Sequence, residues 1–253
     1  MFARFWIYKC NINMATSTID ISMLRNSQYC KVNAILEIRP LAPLSMVSEM
    51  PGSFYKTLRY PSKKILCGLF ENILGWHFDN NLRLKIFNDM AKLRKKSKQE
   101  IRKEQQGSTY LPLLMEYFEI SGKVSLKEFK SVFNYSDLWN RGYRRSDSNK
   151  HLNGCRNIDV SLVAERLRLY EEWSALKDSE KKKDNWFKNN IDKIPCFYTT
   201  PTSREYVALD AVIAIPLLMD IRLVDMLCLR IKESNVGYLG NSEGWVNIKL
   251  EKQ

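Results

Sequence analysis

The sequence predicts an α+β domain that carries a long polar insertion. Three observations point there. Residues 31–39 and 205–215 alternate apolar and polar side chains with the two-residue period of a strand. A segment of helical spacing follows each of them, at 63–74 and 220–233. Between the two strand–helix pairs, about 80–195, the chain is mostly polar and basic. With 45% apolar and 27% charged residues overall, the chain has enough apolar material for a real core.

The elements follow in order. Residues 1–30 have little periodicity and read as an N-terminal extension, with Met14 and Met23 as alternative starts. In the first strand Val32, Ala34, Leu36 and Ile38 alternate with Asn33, Ile35, Glu37 and Arg39, until Pro40 and Pro43 end it. A loop over 43–64 interleaves hydroxyl, aromatic and basic side chains. Ser62 caps a helix starting at Lys63, whose apolar face is Ile65, Leu66, Leu69, Phe70, Ile73 and Leu74. Gly68 inside it costs about 1 kcal/mol relative to Ala, which implies close packing there. Gly75 ends the helix. Residues 80–106 read as a polar helix. Within 92–106, seven Lys/Arg face Glu100 and Glu104, a balance of +5. An aromatic-rich strand broken by Pro112 is expected over 109–120, a helix over 125–133, and a long basic loop over 135–157. A helix over 160–177, a charged stretch over 177–188 and a strand over 194–198 come next. Pro201 marks a turn before the strongest strand, where Val207, Leu209, Ala211, Ile213 and Ile215 share a face. After the helix 220–233 the chain turns through Gly237, Gly240 and Gly244 into a last strand, 245–250. This order suggests a ferredoxin-like, RNA-recognition-type sheet over 31–253, with an inserted segment at about 80–195.

A net charge of +12 favours a polyanionic partner, nucleic acid before an anionic membrane. Six cysteines form no C-x-x-C pair and only two histidines exist, so no zinc site or other cofactor is expected. Scattered thiols fit a reducing cytoplasm. Cys67 and Cys228 read as core residues. No apolar run is long enough to span a membrane, and the patch at Phe5–Tyr8 is too short for a signal peptide.

Catalytic constellations are sparse. Gly237–Gly244 spells Gly-x-x-Gly-x-x-x-Gly, which is neither a dinucleotide fingerprint nor a P-loop. Its glycines suit a hairpin turn first and a close approach of backbone N–H groups to phosphate second. The helix N-terminus at Ser62 offers free N–H groups to an anion. Lys63 and Lys64 in that first turn oppose the helix dipole, a conflict that a bound anion would remove. Lys150–His151 is the best catalytic pair. A base for the 2′-OH and a cation for the phosphorane are what metal-independent RNA cleavage needs, but a lone loop histidine is the commoner outcome. His77, between Trp76 and Phe78, reads as a packing residue.

Two stretches together resemble a known family: LEIRPLAPLSMVSEMPGSFYKTLRYPSKKILCGLFENILGW at 36–76, and TSREYVALDAVIAIPL at 202–217 followed by GYLGNSEGWVNI at 237–248. Their order is similar to that of the CRISPR-associated Cas-five proteins, over about 31–253 with a divergent middle. The resemblance implies an RNA-recognition-like domain with a hairpin-like thumb. It implies a non-catalytic subunit of a type I Cascade that caps the 5′ handle of the CRISPR guide RNA for antiviral defence. Its partners would be the Cascade backbone subunit and large subunit, with target DNA as a further candidate. One subtype of that family cleaves repeat RNA with tyrosine, lysine and histidine, an activity for which Lys150 and His151 are the alternative catalytic candidates. The expected RNA contacts are phosphate binding by Lys56, Arg59, Lys63, Lys64, Arg144 and Arg145, stacking by Tyr55 and Tyr143, and hydroxyl or backbone contacts from Gly240 and Ser242, with Ser45, Ser62 and Tyr238 as further RNA-binding candidates.

Overall fold

The computed structural model describes residues 7–9, 18–26, 30–47, 54–98, 101, 110–143, 151–156, 159–176, 180–195, 202–241 and 243–253; of 7–9, 18, 140–143 and 151–156 it describes the backbone alone. The elements are β1 (Ile7–Lys9), β2 (Thr18–Asp20), a 3-10 turn (Ser22–Arg25), β3 (Lys31–Pro40), β4 (Phe54–Tyr55), α1 (Lys63–Ile73), α2 (Asn80–Lys96), β5 (Phe118–Ile120), β6 (Ser125–Tyr143), β7 (His151–Arg156), α3 (Val160–Ala175), α4 (Glu180–Asn190), β8 (Thr202–Asp220), α5 (Ile221–Glu233), β9 (Val236–Tyr238) and β10 (Trp245–Lys252). The chain forms two compact units. The first is Met1–Gly52, Lys56–Tyr135 and Tyr206–Gln253; the second is Ser53–Tyr55 and Ser136–Glu205. The fold is α+β.

In the first unit the strand order is β6-β8-β3-β10-β9, and β5 pairs with the end of β8. β3 is antiparallel to both neighbours. Leu36 lies opposite Ile215 on one side and Leu250 on the other, and Ile38 opposite Ile213 and Ile248. These inward residues are all buried, and they meet Leu66, Leu69 and Phe70 of α1 and Leu223, Val224 and Leu227 of α5 in one core. The helices start where the sequence says they should. The Ser62 hydroxyl accepts the Ile65 N–H, and Asp220 caps α5 by accepting from Arg222. Gly75 takes φ +73°, the left-handed conformation that ends α1. Cys67 is fully buried, and burial pushes its thiol pKa up; Cys228 is partly buried against the core.

The second unit holds the hairpin β6–β7 and the helices α3 and α4. Trp139 pairs with Arg156, Asn140 with Cys155, Arg141 with Gly154 and Tyr143 with His151, with an irregularity between Arg141 and Tyr143. β4 pairs in parallel with β8 at Ser203 and Arg204, which makes the sheet mixed.

Several expectations are corrected. Residues 125–133 form strand, not helix. Leu126, Phe129 and Phe133 imitate helical spacing, and Glu128 at φ +50° interrupts the alternation that would have betrayed a strand. The basic loop expected over 135–157 is instead the far part of β6, with β7 returning; 144–150 lie outside the described residues. The charged stretch after 177 is the helix α4. The strand expected at 194–198 falls mostly outside the described residues. His77 is exposed between the buried Trp76 and Phe78 and does not pack.

Arg94, one of the seven cations counted in the polar segment 92–106, is drawn into the interior instead of facing outward. It is 2% exposed. Its guanidinium donates to the carbonyls of Leu24 (3.1 Å), Arg25 (2.9 Å) and Asn26 (2.6 Å), to the Tyr117 hydroxyl (2.7 Å) and to Glu116. The 3-10 turn is thereby fastened to α2, and Ile21, Met23 and Leu24 enter the core. A second buried pair, Glu71 with Arg83, ties α1 to α2; Glu71 also accepts the Leu113 N–H at 2.7 Å. Burial pushes the Glu71 carboxyl pKa up, against the opposing pull of Arg83. Removing one partner of a buried charged network leaves the others unpaired, at a cost of about 3–5 kcal/mol. Arg94→Met should therefore lower the urea midpoint by that amount of stability. A midpoint equal to the parent's would show that the 24–26 carbonyls are satisfied without it.

Candidate nucleic-acid interface

The first unit contains a groove of about 340 Å³ where α1, the Met46–Val47 backbone and the glycine-bearing loop after β9 converge. One wall is a single face of α1, with Lys64, Ile65, Gly68, Leu69 and Asn72 at helical spacing; Tyr110 and Val47 continue it, and Tyr238, Gly240 and Asn241 close the other side.

The loop sits where it does because of backbone proximity. Gly240 has φ +85°, and a Cβ there would overlap the Ser45 carbonyl oxygen, so only glycine lets the two segments lie together. Tyr238 is fixed twice. Its N–H donates to Asn72 Oδ1 (3.3 Å), and its ring lies 4.4 Å from that of Trp245. Thr57 ties the preceding strap down, its hydroxyl accepting the Met46 N–H at 2.9 Å.

Asn241 stands out. Its side-chain Nδ2 and Oδ1 are both shielded from solvent and neither has a hydrogen-bond partner among the described residues. Buried amides are nearly always paired, and one left unpaired costs on the order of 1–3 kcal/mol. As it stands the amide is closed to solvent, so a ligand in the groove that holds Lys64 and the Tyr238 ring would reach it only after the loop shifts.

The structure distributes the sequence-derived candidates unevenly. Lys64, Tyr238 and Gly240 line the groove, with Ser45 directly beneath Gly240. Ser45 is 0% exposed, so its part is to shape the floor rather than to touch a ligand. The Ser62 hydroxyl is spent on the helix cap. Lys63 turns away to Glu119 (2.7 Å) and lies over the Phe118 ring, so the protein itself supplies the anion that answers this lysine's conflict with the helix dipole. Lys56 and Arg59 are exposed. Arg144, Arg145, Lys150 and Ser242 lie outside the described residues, and Tyr143 and His151 are described only as a backbone pair in the hairpin.

Tyr55, expected to stack on bases, has another occupation inside the second unit. The Arg204 guanidinium lies between two rings, 4.8 Å from the centroid of Tyr55 and 4.3 Å from that of Trp139. One face of Tyr55 is thus covered. In the first unit the neighbouring Tyr206 is fully buried and stacks on Tyr135 at 5.6 Å with 20° between planes. Sequence reasoning missed Asn241, Trp139 and the role of Arg204. Only Arg204 gave a signal, as the first residue of the Arg-Glu-Tyr that opens the strongest strand. Among the described residues no group of three or more His, Cys, Asp or Glu could hold a metal ion, and no helix is long and apolar enough to cross a membrane.

Comparison with known proteins adds a family. The family described as CRISPR-associated protein Cas5p matches residues 19–250. No curated protein matches the sequence. Among solved structures, a chain of the cryo-EM structure of the Type III-B Cmr-beta bound to cognate target RNA and AMPPnP is similar at 10% identity and a TM-score of 0.32, covering 85% of this chain and 62% of that one.

Two glycines of the groove separate architecture from open space. A Cβ on Gly68 would meet only the Tyr110 ring, at 3.8 Å and beyond, so the close packing expected from its helical position is absent. Gly68→Ala should raise the melting temperature, since alanine is worth up to about 1 kcal/mol over glycine inside a helix. Gly240→Ala should lower it, because positive φ and the Ser45 carbonyl both oppose a side chain. The opposite order of the two melts would mean that the loop can lift off Ser45.

Proposed function

The chain belongs to the CRISPR-associated Cas5p family, and from that premise we propose that it is a non-catalytic, RNA-binding subunit of a type I Cascade, holding the 5′ handle of the guide RNA. The observation that supports this most directly is the groove, where the orphaned Asn241 amide, the Lys64 ammonium and the Tyr238 ring lie together. An amide reads a base edge or a ribose hydroxyl, an ammonium holds a phosphate, and an aromatic ring supports a base. The strand order β10-β3-β8-β6, with α1 and α5 in the crossovers, supports a ferredoxin-type, RNA-recognition-like scaffold. The hairpin β6–β7 would be the thumb. The partners are the guide RNA and the Cascade backbone and large subunits. Arg144 and Arg145, which lie in sequence between β6 and β7, with the exposed Lys56 and Arg59, would add phosphate contacts whose strength falls with salt.

The test is to co-express the chain with its genomic neighbours and a repeat–spacer array, purify the assembly and sequence its RNA. Guide RNAs sharing one 5′ end are expected; random RNA, or none, would overturn the reading. Asn241→Ala and Lys64→Glu should each weaken handle binding about tenfold, as expected for the loss of one well-placed hydrogen bond or charge contact. The melting temperature of Asn241→Ala should not fall, because that amide has no hydrogen-bond partner among the described residues to lose. Unchanged affinity in both variants would move the site elsewhere.

A second reading, a metal-independent repeat-RNA endoribonuclease, draws on the hairpin register. His151 pairs across from Tyr143, and Lys150 precedes it. If the chain cuts RNA, His151→Ala abolishes cleavage of the repeat while leaving binding intact; if it only caps, purified chain leaves the repeat uncut and the substitution changes nothing.

A further inference from the structure

The second unit contains an aromatic cleft that the handle reading does not use. It lies between α3 and α4, has a volume of about 360 Å³, and is lined by Tyr170, Trp173, Trp186 and Phe187 together with Arg166 and Lys183. We propose that this cleft is a separate nucleotide-binding site, taking one base of a single-stranded nucleic acid between its rings and the adjoining phosphate on Lys183.

Four observations carry it. First, the cleft is not a core. Leu169 is the only buried residue of α3, and α4 has none. Trp173 and Trp186 are half-buried and Leu169 lines the same cleft, but the exposed Tyr170 and Phe187 are not explained by burial. Second, its rim rings stand open to solvent: Tyr170 is 61% and Phe187 43% exposed. Third, the rings are grouped rather than scattered. Tyr170 and Trp173 have centroids 5.7 Å apart, and Lys183 Nζ lies 5.0 Å from the Trp173 centroid. A base stacked on these rings would carry its phosphate beside an ammonium. Fourth, the chemistry is that of a sequence-tolerant single-strand site, in which aromatic faces take bases and neighbouring cations track the backbone. The size agrees, since it lies at the low end of the roughly 300–1,000 Å³ found for small-ligand sites. Asp184 on the same lining can accept from an exocyclic amine. Lys181 and Lys188 on α4 continue the positive charge.

The test uses the full chain and a short oligothymidylate that lacks any repeat sequence, so that it reads this cleft and not the handle groove. Ultraviolet crosslinking followed by peptide mapping should place the adduct within residues 160–194. Tyr170→Ala and Lys183→Glu alter side chains that support no core, and each should weaken the oligomer roughly 5- to 100-fold, the range that loss of one stacked base spans. Lys64→Glu in the handle groove should leave the 160–194 adduct in place. An oligomer in which every base is replaced by an abasic site should bind as weakly as the Tyr170→Ala variant. Adenosine 5′-monophosphate distinguishes the source. Competition at millimolar concentration means that the cleft accepts a free nucleotide; adduct formation without competition means that it needs the strand. Absence of adducts from 160–194, or parent-like affinity in both cleft variants with unchanged circular dichroism, would overturn the proposal, and would do so whether or not the handle reading stands.

Discussion

The register of β3 between β8 and β10 is the constraint on which the first unit depends. Side chains alternate strictly along a strand, so a slip of one residue would send Leu36 and Ile38 to the other face and bring Glu37 and Arg39 into the core. The pairing of Leu36 with Ile215 and Leu250 forbids that slip, because the apolar residues of all three strands must meet the helices together. Once the register is fixed, α1 and α5 have one face to pack on. The loop after β9 must then cross the Ser45–Met46 backbone, and Gly240 is what lets it do so. The groove is thus a consequence of strand pairing at a distance, not of any local motif.

The same geometry explains the chemistry of the groove walls. α1 turns Leu66 and Phe70 into the core, and the side it leaves to the groove carries Lys64, Gly68 and Asn72. Of the two lysines that begin the helix, Lys63 is neutralised by Glu119, and Lys64 points along the groove wall. Adjacent residues on a helix are about 100° apart, so identical side chains one position apart take different work.

How much of this was legible in the sequence depends on the range of the interaction. Ser62, Asp220 and Gly75 are local signals: a hydroxyl or carboxylate beside an apolar period, and a glycine after its end. The helix bounds they mark agree with the structure. The alternation in β3 and β8 is equally local. The strand β6 was hidden, because Leu126, Phe129 and Phe133 have helical spacing and Glu128 interrupts the alternation. Arg94 was hidden for a different reason. Nothing in a run of lysines and arginines says which one will be drawn inward, since its partners are carbonyls about seventy positions earlier in the chain. Asn241 was invisible for the same cause. An asparagine in a glycine-rich turn is commonplace, and only tertiary placement shows that its amide is shielded and unpaired.

The second face of the sheet sets a limit on how this protein can read RNA. A sheet that stacks bases needs aromatic side chains on its central strands. Here the outward positions of β3 are Asn33, Ile35, Glu37 and Arg39, and those of β8 include Ala208, Asp210, Val212 and Ala214. None is aromatic. Ala214 lies directly opposite Glu37, and Lys127 reaches Glu37 at 2.7 Å. Arg39 pairs with Glu128, Lys130 with Asp210 at 3.6 Å, and Lys249 with Glu251 at 2.5 Å. Ion pairs this exposed add little stability. What they do is occupy charges along β3 and the Ala208–Ala214 stretch of β8, while the rings of this sheet gather on its β6 side, where Phe129 and Phe133 are exposed and Tyr135 stacks on Tyr206. On the two proposals above, recognition would fall instead on loops and helix faces: Lys64, Tyr238 and Asn241 in the first unit, and the ring cluster between α3 and α4 in the second.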